Sequence, residues 1–461
     1  MKKTLFVTGI ALCIFHSVFA GGILTNTNQS IHFLRNPARG ASIEIDAVYT
    51  NPAGLAFLPK DGFFFAINNQ SAFQTRTITS TFTPFAGYGG NATKEYEGTA
   101  SAPIIPSIQA AYKTGDWVFS GSIAVTGGGG KATFNKGLPS FESTVAIVPA
   151  VLNQYNSALG SYSVNSYMEG SSFIYGAQLG GTYSISEHFS AYAGFRLNIV
   201  NNSYVGYLRD IKIGVSGNLT PADNVVALNP AFGAFAPLVS AKELDCEQSG
   251  WGVTPIIGAD FKWNKLNIGA KYELNTHLNV ENKTAVNTTG VADYEEGINT
   301  PHDIPSLLTI GAQYNIIDPL AVSVGYHHFF DSNAKMANDK QKYINGGINE
   351  FLGGIEYRIN RLFLVSCGGQ ITRTGATDNY QADLSYSLNS YSLGFGGAVN
   401  ISENVRINLA YFFTNYEDWT KTSADYGKIN ALTGGKVPAT SGTDIFGRTN
   451  KAFGIGVDFR F

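Results

Sequence analysis

Apolar and polar residues alternate along most of this chain with a period of two. Residues 266–275 show the pattern clearly, because one face carries Leu266, Ile268, Ala270, Tyr272 and Leu274. The opposite face carries Asn267, Gly269, Lys271, Glu273 and Asn275. Strict alternation of this kind predicts β-strands with one apolar and one polar face.

The alternation predicts fourteen strands. They are expected at 62–82, 104–113, 117–126, 172–184, 188–210, 250–262, 265–279, 305–314, 319–330, 350–358, 361–373, 384–399, 404–415 and 451–461. Short turns and long connections follow one another along the chain, giving six turns and seven long loops. Long loops on one side and short turns on the other are typical of an outer-membrane barrel, and an even strand number leaves both termini in the periplasm.

Composition favours a membrane barrel over a soluble sandwich. Charged residues make up only 14% of the 461 residues, aromatic residues make up 13%, and there are 52 glycines. The polar strand faces are rich in Gly, Ser and Asn, which suits a polar barrel interior. The net charge of −3 excludes a strongly basic nucleic-acid-binding protein, so no nucleic-acid partner is expected.

The first twenty residues predict a secretory signal peptide. A basic start is followed by the apolar run Leu5–Phe15 and by Val18-Phe19-Ala20, which provides small residues before a cleavage site. The apolar run is shorter than the roughly 20 residues that a membrane-spanning helix needs. We therefore expect an exported chain that begins at residue 21.

The last strand carries a specific signal. In residues 451–461, Phe453, Ile455, Val457, Phe459 and Phe461 alternate with Gly454, Gly456, Asp458 and Arg460. A barrel strand that ends on a terminal aromatic residue resembles the signal read by the bacterial barrel-assembly machinery. That machinery is therefore an expected partner, together with outer-membrane lipid.

Residues 21–61 do not alternate and are rich in turn-forming Asn, Pro and Gly. Within them, Ala38-Arg39-Gly40-Ala41-Ser42 and the stretch 45–56, with Asn51-Pro52-Ala53-Gly54 at its centre, resemble the hatch of the FadL/TodX family. That resemblance implies an outer-membrane transporter of long-chain fatty acids or other hydrophobic compounds. The predicted architecture is an all-β, fourteen-stranded antiparallel transmembrane barrel (62–461) with an N-terminal plug, or hatch (21–61), in its lumen.

The resemblance also implies a route for the ligand. Apolar extracellular loops capture it, a lumen pocket receives it, and a hatch movement connects the pocket to a kink in the third strand, where it leaves sideways into the membrane. We expect Gly121, in the middle of that strand, to mark the kink and to face Asn51, Pro52 and Ala53; an ordinary barrel glycine is the alternative. The resemblance further implies that an N-terminal apolar residue, here Ile23 or Leu24, fills the empty pocket, although simple hatch packing would also explain both.

Other candidates for ligand binding come from the residues themselves. Val148 and Leu152 lie in an apolar helical pattern within one long loop, and Phe232 and Phe235 lie in a similar pattern within the next. They could form a groove, or they could simply pack against each other and the rim. Arg196 and Lys271 are inward charges that could hold a carboxylate, unless they pair with acidic lumen residues such as Glu273.

No catalytic or metal site is apparent in the sequence, so we predict a protein that is not an enzyme and needs no cofactor. His327 and His328 point to opposite strand faces and cannot bind one ion from inside. The sequence does not settle whether Cys246 and Cys367 meet.

The leading hypothesis is a monomeric passive channel for a hydrophobic small molecule in the bacterial outer membrane. The alternatives are a general porin for small polar solutes and a surface receptor or adhesin that uses the same loops. The sequence does not distinguish a fatty acid from an aromatic hydrocarbon as the ligand.

Overall fold

The computed structural model describes residues 25–154 and 156–461. The predicted signal peptide, 1–20, and the two candidate pocket residues Ile23 and Leu24 lie outside this part of the chain. Within it, eighteen β-segments join into one antiparallel sheet that closes on itself. Those segments are β1 (Gly62–Phe82), β2 (Thr93–Thr114), β3 (Trp117–Phe134), β4 (Leu159–Ser184), β5 (Phe189–Val215), β6 (Asn218–Pro221), β7 (Lys242–Trp263), β8 (Leu266–Glu273), β9 (Asn279–Asn287), β10 (Asn299–Pro301), β11 (Leu307–Ile317), β12 (Leu320–Phe329), β13 (Ile348–Arg358), β14 (Phe363–Arg373), β15 (Ser390–Asn400), β16 (Val405–Tyr416), β17 (Trp419–Ser423) and β18 (Gly442–Arg460).

The segments build a fourteen-stranded barrel, as the alternation predicts. β8 and β9 are two parts of one barrel strand because both pair with β7, and β10 and β11 pair with those same two parts. β6 and β17 are short additions beside β5 and β18. The barrel closes where β1 pairs with β18 without a register shift from Phe64–Arg460 to Phe82–Gly442.

The first strands are longer than predicted. β2 begins at Thr93, β3 runs to Phe134 and β4 begins at Leu159, so parts of the predicted loops are strand. Apolar alternation marks only the stretch of a strand that faces lipid on one side and the lumen on the other. The strand ends that rise above the membrane face water or other loops, so they lack that pattern.

The outer face of the barrel is apolar. Exposed side chains along it include Ile104, Phe119, Leu179, Phe395 and Phe453, and each alternates with inward residues. This band of apolar side chains on a closed barrel is a lipid-facing surface. Among residues 25–154 and 156–461, no helix is long and apolar enough to cross a membrane.

The helices lie in the plug and in the extracellular loops. They are α1 (Ile31–Arg35), α2 (Ala47–Thr50), α3 (Pro139–Leu152), α4 (Ala222–Ala227), α5 (Ala236–Val239) and α6 (Ile429–Leu432). Short 3-10 helices occur at Pro52–Phe57, Thr83–Gly87, Pro230–Phe235, Ala292–Tyr294, Asp331–Asn333, Ala337–Tyr343 and Tyr426–Lys428. Pro230 and Pro237 break the second apolar loop into separate helical turns, because proline cannot continue a preceding helix.

Candidate functional site

The body of the plug, residues 30–58, is fixed inside the barrel by buried ion pairs. Arg35 Nη1 lies 2.5 Å from Glu356 Oε2 of β13, and within the plug Arg39 Nε lies 2.7 Å from Asp46 Oδ2. Arg35, Arg39 and Asp46 are all almost completely buried. Because removal of one partner from a buried ion pair leaves an uncompensated charge, these contacts hold the plug body tightly.

His32 joins the same ionic cluster. Its Nε2 lies 2.9 Å from Asp458 Oδ2 of β18, and its Nδ1 lies 3.3 Å from Glu44 Oε2. Glu44 also accepts from Arg406 Nη1 of β16 at 2.6 Å. Burial lowers the pKa of His32, but the nearby Asp458 and Asp46 carboxylates outweigh burial and raise that pKa from 6.5 to about 9. Protonated His32 balances the cluster, which then holds four cations (His32, Arg35, Arg39 and Arg406) and four carboxylates (Glu44, Asp46, Glu356 and Asp458).

The Asn51-Pro52-Ala53-Gly54 segment anchors the end of the plug to the barrel wall. Asn51 Nδ2 donates to Asp260 Oδ2 of β7 at 3.1 Å, and Ser190 Oγ of β5 donates to the Ala53 carbonyl at 2.7 Å. Gly54 must be glycine here, since a Cβ at that position would lie 2.2 Å from the Ser42 carbonyl oxygen. The side-chain hydrogen bonds of the segment thus run to β4, β5 and β7.

The barrel wall is interrupted between β2 and β3. Pairing of these strands stops at Ala100–Ala132 and resumes at Ser107–Ala124. Residues 101–106 of β2 and residues 125–131 of β3 are therefore not paired with each other. The register of β3 against β4 also shifts twice between Val125 and Gly130. We call this interruption the β2–β3 gap.

The predicted position of the kink, Gly121, was wrong. Gly121 pairs regularly with Ala110 of β2 and Leu179 of β4. The irregular backbone lies further along, at Gly128 and Gly130, whose φ angles are +88° and +72°. Only glycine adopts such angles without strain, so the glycine run 127–130 marks the kink.

The tip of the plug, residues 25–29, fills the β2–β3 gap. The Asn26 N–H donates to the Thr126 carbonyl at 2.9 Å, and Asn26 Nδ2 donates to the Gly128 carbonyl at 3.0 Å. Gln29 Nε2 donates to the Val125 carbonyl at 2.9 Å, and Ser107 Oγ of β2 donates to the Gln29 carbonyl at 2.5 Å. The tip therefore takes the place of the missing neighbour strand, as a peptide does when it adds to an open sheet edge.

A cavity of about 370 Å³ lies above the plug and reaches the β2–β3 gap. Its inner wall includes Phe33, Gln370 and Arg448, and the plug tip forms part of its boundary. Its outer boundary includes Ile104 and Ile123, which are 74% and 62% exposed on the lipid face. One cavity is thus lined by both lumen and lipid-facing residues, with the tip between them.

Arg196 and Lys271 both pair with the same acidic lumen residue, Glu273. Arg196 Nη1 lies 2.7 Å from Glu273 Oε2, and Lys271 Nζ lies 2.6 Å from Glu273 Oε1. Lys271 also donates to the Tyr49 carbonyl of the plug at 2.8 Å. Both residues thus belong to a paired lumen network, and neither lines the cavity described above.

The candidate loop residues pack into an extracellular cap instead of lining a groove. Val148 and Leu152 of α3 are completely buried, Phe235 is nearly so, and Phe232 packs partly buried against the same apolar cluster. Glu142 holds α3 to the barrel because Tyr96 and Tyr162 donate to its carboxylate at 2.6 and 2.7 Å. All four residues therefore pack within this cap.

Sequence reasoning missed the plug tip and two inward arginines, Arg76 and Arg448. Asn26 and Gln29 gave no signal beyond their turn-forming composition. Arg76 lies on the inward face of a predicted strand and could have been placed by alternation. Arg448 could not, because it lies in an upper strand end that carries no apolar pattern.

The described residues suggest no metal-dependent or nucleophilic chemistry. His32, Glu44 and Asp46 are within metal-ligand reach of one another, but their carboxylates already bind Arg39 and Arg406. Cys246 is buried in β7 and Cys367 is exposed on the lipid face, and both are free thiols.

Comparison with known proteins rests on structure alone, since no family model and no curated protein matches the sequence. A solved FadL homologue from Pseudomonas aeruginosa superposes with a TM-score of 0.65 at 12% identity, over 96% of this chain and 100% of that one. The toluene transporter TodX of P. putida gives 0.56 at 13%, over 90% and 94%. The monoaromatic hydrocarbon channel CymD gives 0.52 at 11%, over 93% and 98%. The chain therefore has the fold of the FadL and TodX outer-membrane channels, as the hatch residues and strand count predicted.

Proposed function

We propose that this protein is a passive outer-membrane channel that takes up hydrophobic small molecules and releases them sideways through the β2–β3 gap. The observation that supports this proposal is the cavity that runs from the lumen to the lipid-facing Ile104 and Ile123. Only the plug tip lies between the lumen and these two residues. An apolar solute that enters the cavity reaches the membrane without crossing the charged plug body. Fatty acids and aromatic hydrocarbons both belong to this class of ligand.

Two features favour this function over a general porin. The plug body fills the lumen below the cavity and is held by the ionic cluster around Glu44 and Asp46, so no open axial pore for polar solutes is expected. The wall around the gap is apolar, with Ile105, Pro106 and Phe173 among its residues. Burial of apolar groups contributes about 0.8 kcal/mol per CH₂, which draws a hydrophobic solute along this path.

The extracellular cap captures the hydrophobic solute from outside the cell. Leu219 and Leu228, in the loop between β5 and β7, are 51% and 73% exposed, and they offer apolar surface above the barrel.

Phe461 stacks on Phe63 where β1 and β18 close the barrel, with 6.3 Å between ring centroids. Assembly machinery would recognise the terminal strand at this position.

The test compares transfer of a hydrophobic solute with exclusion of sugars in proteoliposomes. Full-length protein should pass a labelled hydrophobic solute into the bilayer and should block osmotic swelling in arabinose. The substitution Ala102→Trp places a bulky ring in the gap and should remove most of the transfer. Ala110→Trp is the matched control, because Ala110 lies on the same strand and pairs regularly with Gly121.

Free passage of arabinose through the full-length protein would favour the porin alternative. Equal transfer by the Ala102→Trp and Ala110→Trp proteins would refute release through the gap. Ligand binding without any transfer would favour a surface receptor.

A further inference from the structure

Asp260 is a buried carboxylate on the inward face of β7 that lacks a cationic partner. Only 1% of its surface is exposed, and none of the ion pairs in the described part of the chain includes it. Asp46, Glu273 and Asp458 are similarly buried, but each lies beside an arginine or a histidine. An isolated buried carboxylate is costly, so Asp260 either binds a proton or lies beside a cation.

The side chains beside Asp260 add further acceptors. Asn51 Nδ2 donates to Asp260 Oδ2 at 3.1 Å, and Asn267 Nδ2 donates to the Ala41 carbonyl of the plug at 3.0 Å. Asn267 lies on the same face of the β7–β8 hairpin as Asp260, within hydrogen-bonding reach of its carboxylate. The Oδ1 atoms of Asp260, Asn51 and Asn267 are all buried without a hydrogen-bond partner among the described residues. Three buried oxygen atoms at one contact between plug and wall thus lack a donor, which is costly unless a ligand completes them.

Two backbone carbonyl groups of the plug also lie near this carboxylate. A Cβ added at Gly269 would lie 2.9 Å from Asp260 Oδ2 and 2.3 Å from the Gly40 carbonyl oxygen. A Cβ added at Gly54 would lie 3.3 Å from Asp260 Oδ2 and 2.2 Å from the Ser42 carbonyl oxygen. The two glycines therefore keep side chains out of the space between the carboxylate and these carbonyl oxygens.

A set of one carboxylate with amide and backbone carbonyl oxygens is the chemistry that binds hard cations. Backbone carbonyl groups coordinate Na⁺ within membrane proteins in the same way. A monovalent ion balances the single charge of Asp260, whereas a divalent ion would leave an uncompensated buried charge. The donor set therefore favours Na⁺ over Ca²⁺ or Mg²⁺.

We propose that Asp260, Asn51 and Asn267 bind a sodium ion between the plug and the barrel wall. Oδ1 of Asp260 supplies the negative charge, and the two amide oxygens supply neutral ligands from the plug and from β8. The ion thereby fastens the Asn51-Pro52-Ala53-Gly54 segment to β7 and β8. Docking of this end of the plug then depends on sodium, independently of any cargo.

The experiment measures hydrogen exchange at the Gly54 amide of full-length protein, which donates to the Asn51 carbonyl at 3.0 Å. Exchange is compared in sodium chloride and in N-methyl-D-glucamine chloride of equal ionic strength, since that organic cation is too large for a buried site. At a sodium concentration about ten times its Kd, exchange in wild-type protein should be about tenfold slower. Asp260→Asn keeps the shape of the side chain but removes its charge, so its exchange rates in the two salts should be equal. Asp318→Asn is the matched control, because Asp318 is an exposed aspartate in the short turn between β11 and β12.

A second measurement needs no variant. Wild-type crystals soaked in thallium(I), a heavy monovalent cation, should show an anomalous peak beside Asp260 Oδ1. Equal exchange of wild-type protein in the two salts would overturn the inference and would indicate that Asp260 binds a proton. Sodium-dependent protection that persists in Asp260→Asn would also overturn it, as would protection by Ca²⁺ but not by Na⁺. Neither readout involves cargo, so failure of this inference leaves the proposed function to its own test.

Discussion

The plug has two parts that are held in different ways. Its body, residues 30–58, is joined to the wall by buried ion pairs such as Arg35–Glu356 and Arg406–Glu44. Its tip, residues 25–29, is joined to β2 and β3 mostly by neutral hydrogen bonds, including Asn26–Thr126 and Gln29–Val125. Breaking a buried ion pair costs about 3–5 kcal/mol, whereas a neutral hydrogen bond contributes only about 0.5–1.5 kcal/mol.

This difference in contacts is what the proposed function needs, because closure of the lumen and opening of the gap would then involve different parts of the plug. In the proposed function, the body seals the lumen against polar solutes and stays in place, while the tip can leave the β2–β3 gap at a lower cost in free energy. In the proposed function, a hydrophobic cargo would therefore open a lateral path without opening an axial pore. The first three predictions below each act on one part of the plug and leave the other unchanged, and the last acts on β3 beside the tip.

The largest effect is expected from Arg39→Ala in the plug body. The Asp46 carboxylate, which accepts from Arg39 Nε at 2.7 Å and from Nη2 at 2.9 Å, would remain buried without its cation. We expect the folded plug body to lose about 3–5 kcal/mol of stability, because Arg39 pairs with Asp46 and Glu44 within the plug itself. Arabinose should then swell proteoliposomes that contain this variant.

The control for that prediction is Arg361→Ala, which removes an exposed arginine from the short turn between β13 and β14. It should leave the sugar barrier intact. An Arg39→Ala protein that excludes arabinose as well as wild type does would show that the ion pairs within the plug body are not needed for the seal.

His32 makes the docking of the plug body depend on pH. Its pKa is raised from 6.5 to about 9 in the folded protein, so protonation stabilises docking fully below pH 6.5. That contribution is lost as the pH rises through about 9, and it amounts to about 3 kcal/mol. Swelling in arabinose should therefore increase between pH 7 and pH 10.

The substitution His32→Gln provides the comparison, since glutamine does not titrate in this range. It should remove the pH dependence and should leak at pH 6, where wild-type protein is closed. Identical pH profiles for the two proteins would contradict a structural role for the protonated imidazole.

A smaller effect is expected from Gln29→Ala in the tip. Gln29 Nε2 donates to the Asn26 and Val125 carbonyls, both at 2.9 Å, and both bonds would be lost. The tip should loosen by about 1–3 kcal/mol. Transfer of a hydrophobic solute should become faster, and arabinose should remain excluded.

Hydrogen exchange at the Asn26 amide gives a direct measure of that loosening, because this amide donates to the Thr126 carbonyl. Thr27→Ala is a control within the same tip. Leakage of sugar through the Gln29→Ala protein would mean that tip and body do not act separately.

Sequence patterns predicted the barrel well because lipid and lumen impose alternation on every strand that crosses the membrane. All fourteen strands, the short turns and the inward position of Arg196, Lys271 and Glu273 follow from that period. The β2–β3 gap could not be predicted from this period. Loss of pairing between residues 101–106 and 125–131 depends on how neighbouring strands align in the barrel, which the alternation of one strand does not show. The Arg76–Arg448 pair was hidden for the same reason, since it depends on the register of β1 against β18.

The smallest effect is expected from Gly121→Ala. This substitution tests whether Gly121 is an ordinary barrel glycine that lies outside the kink. Gly121 lies in regular pairing, and an added Cβ would meet the movable end of the Leu179 side chain at 2.8 Å and the Gln178 carbonyl oxygen at 3.0 Å. Stability should change by less than about 1 kcal/mol, and transfer should match wild type. Gly128→Ala is the counterpart, because its Cβ would lie 2.2 Å from the Ser172 carbonyl oxygen at a φ of +88°. That variant should alter transfer through the gap, so equal behaviour of the two alanine variants would show that the kink is not where cargo leaves.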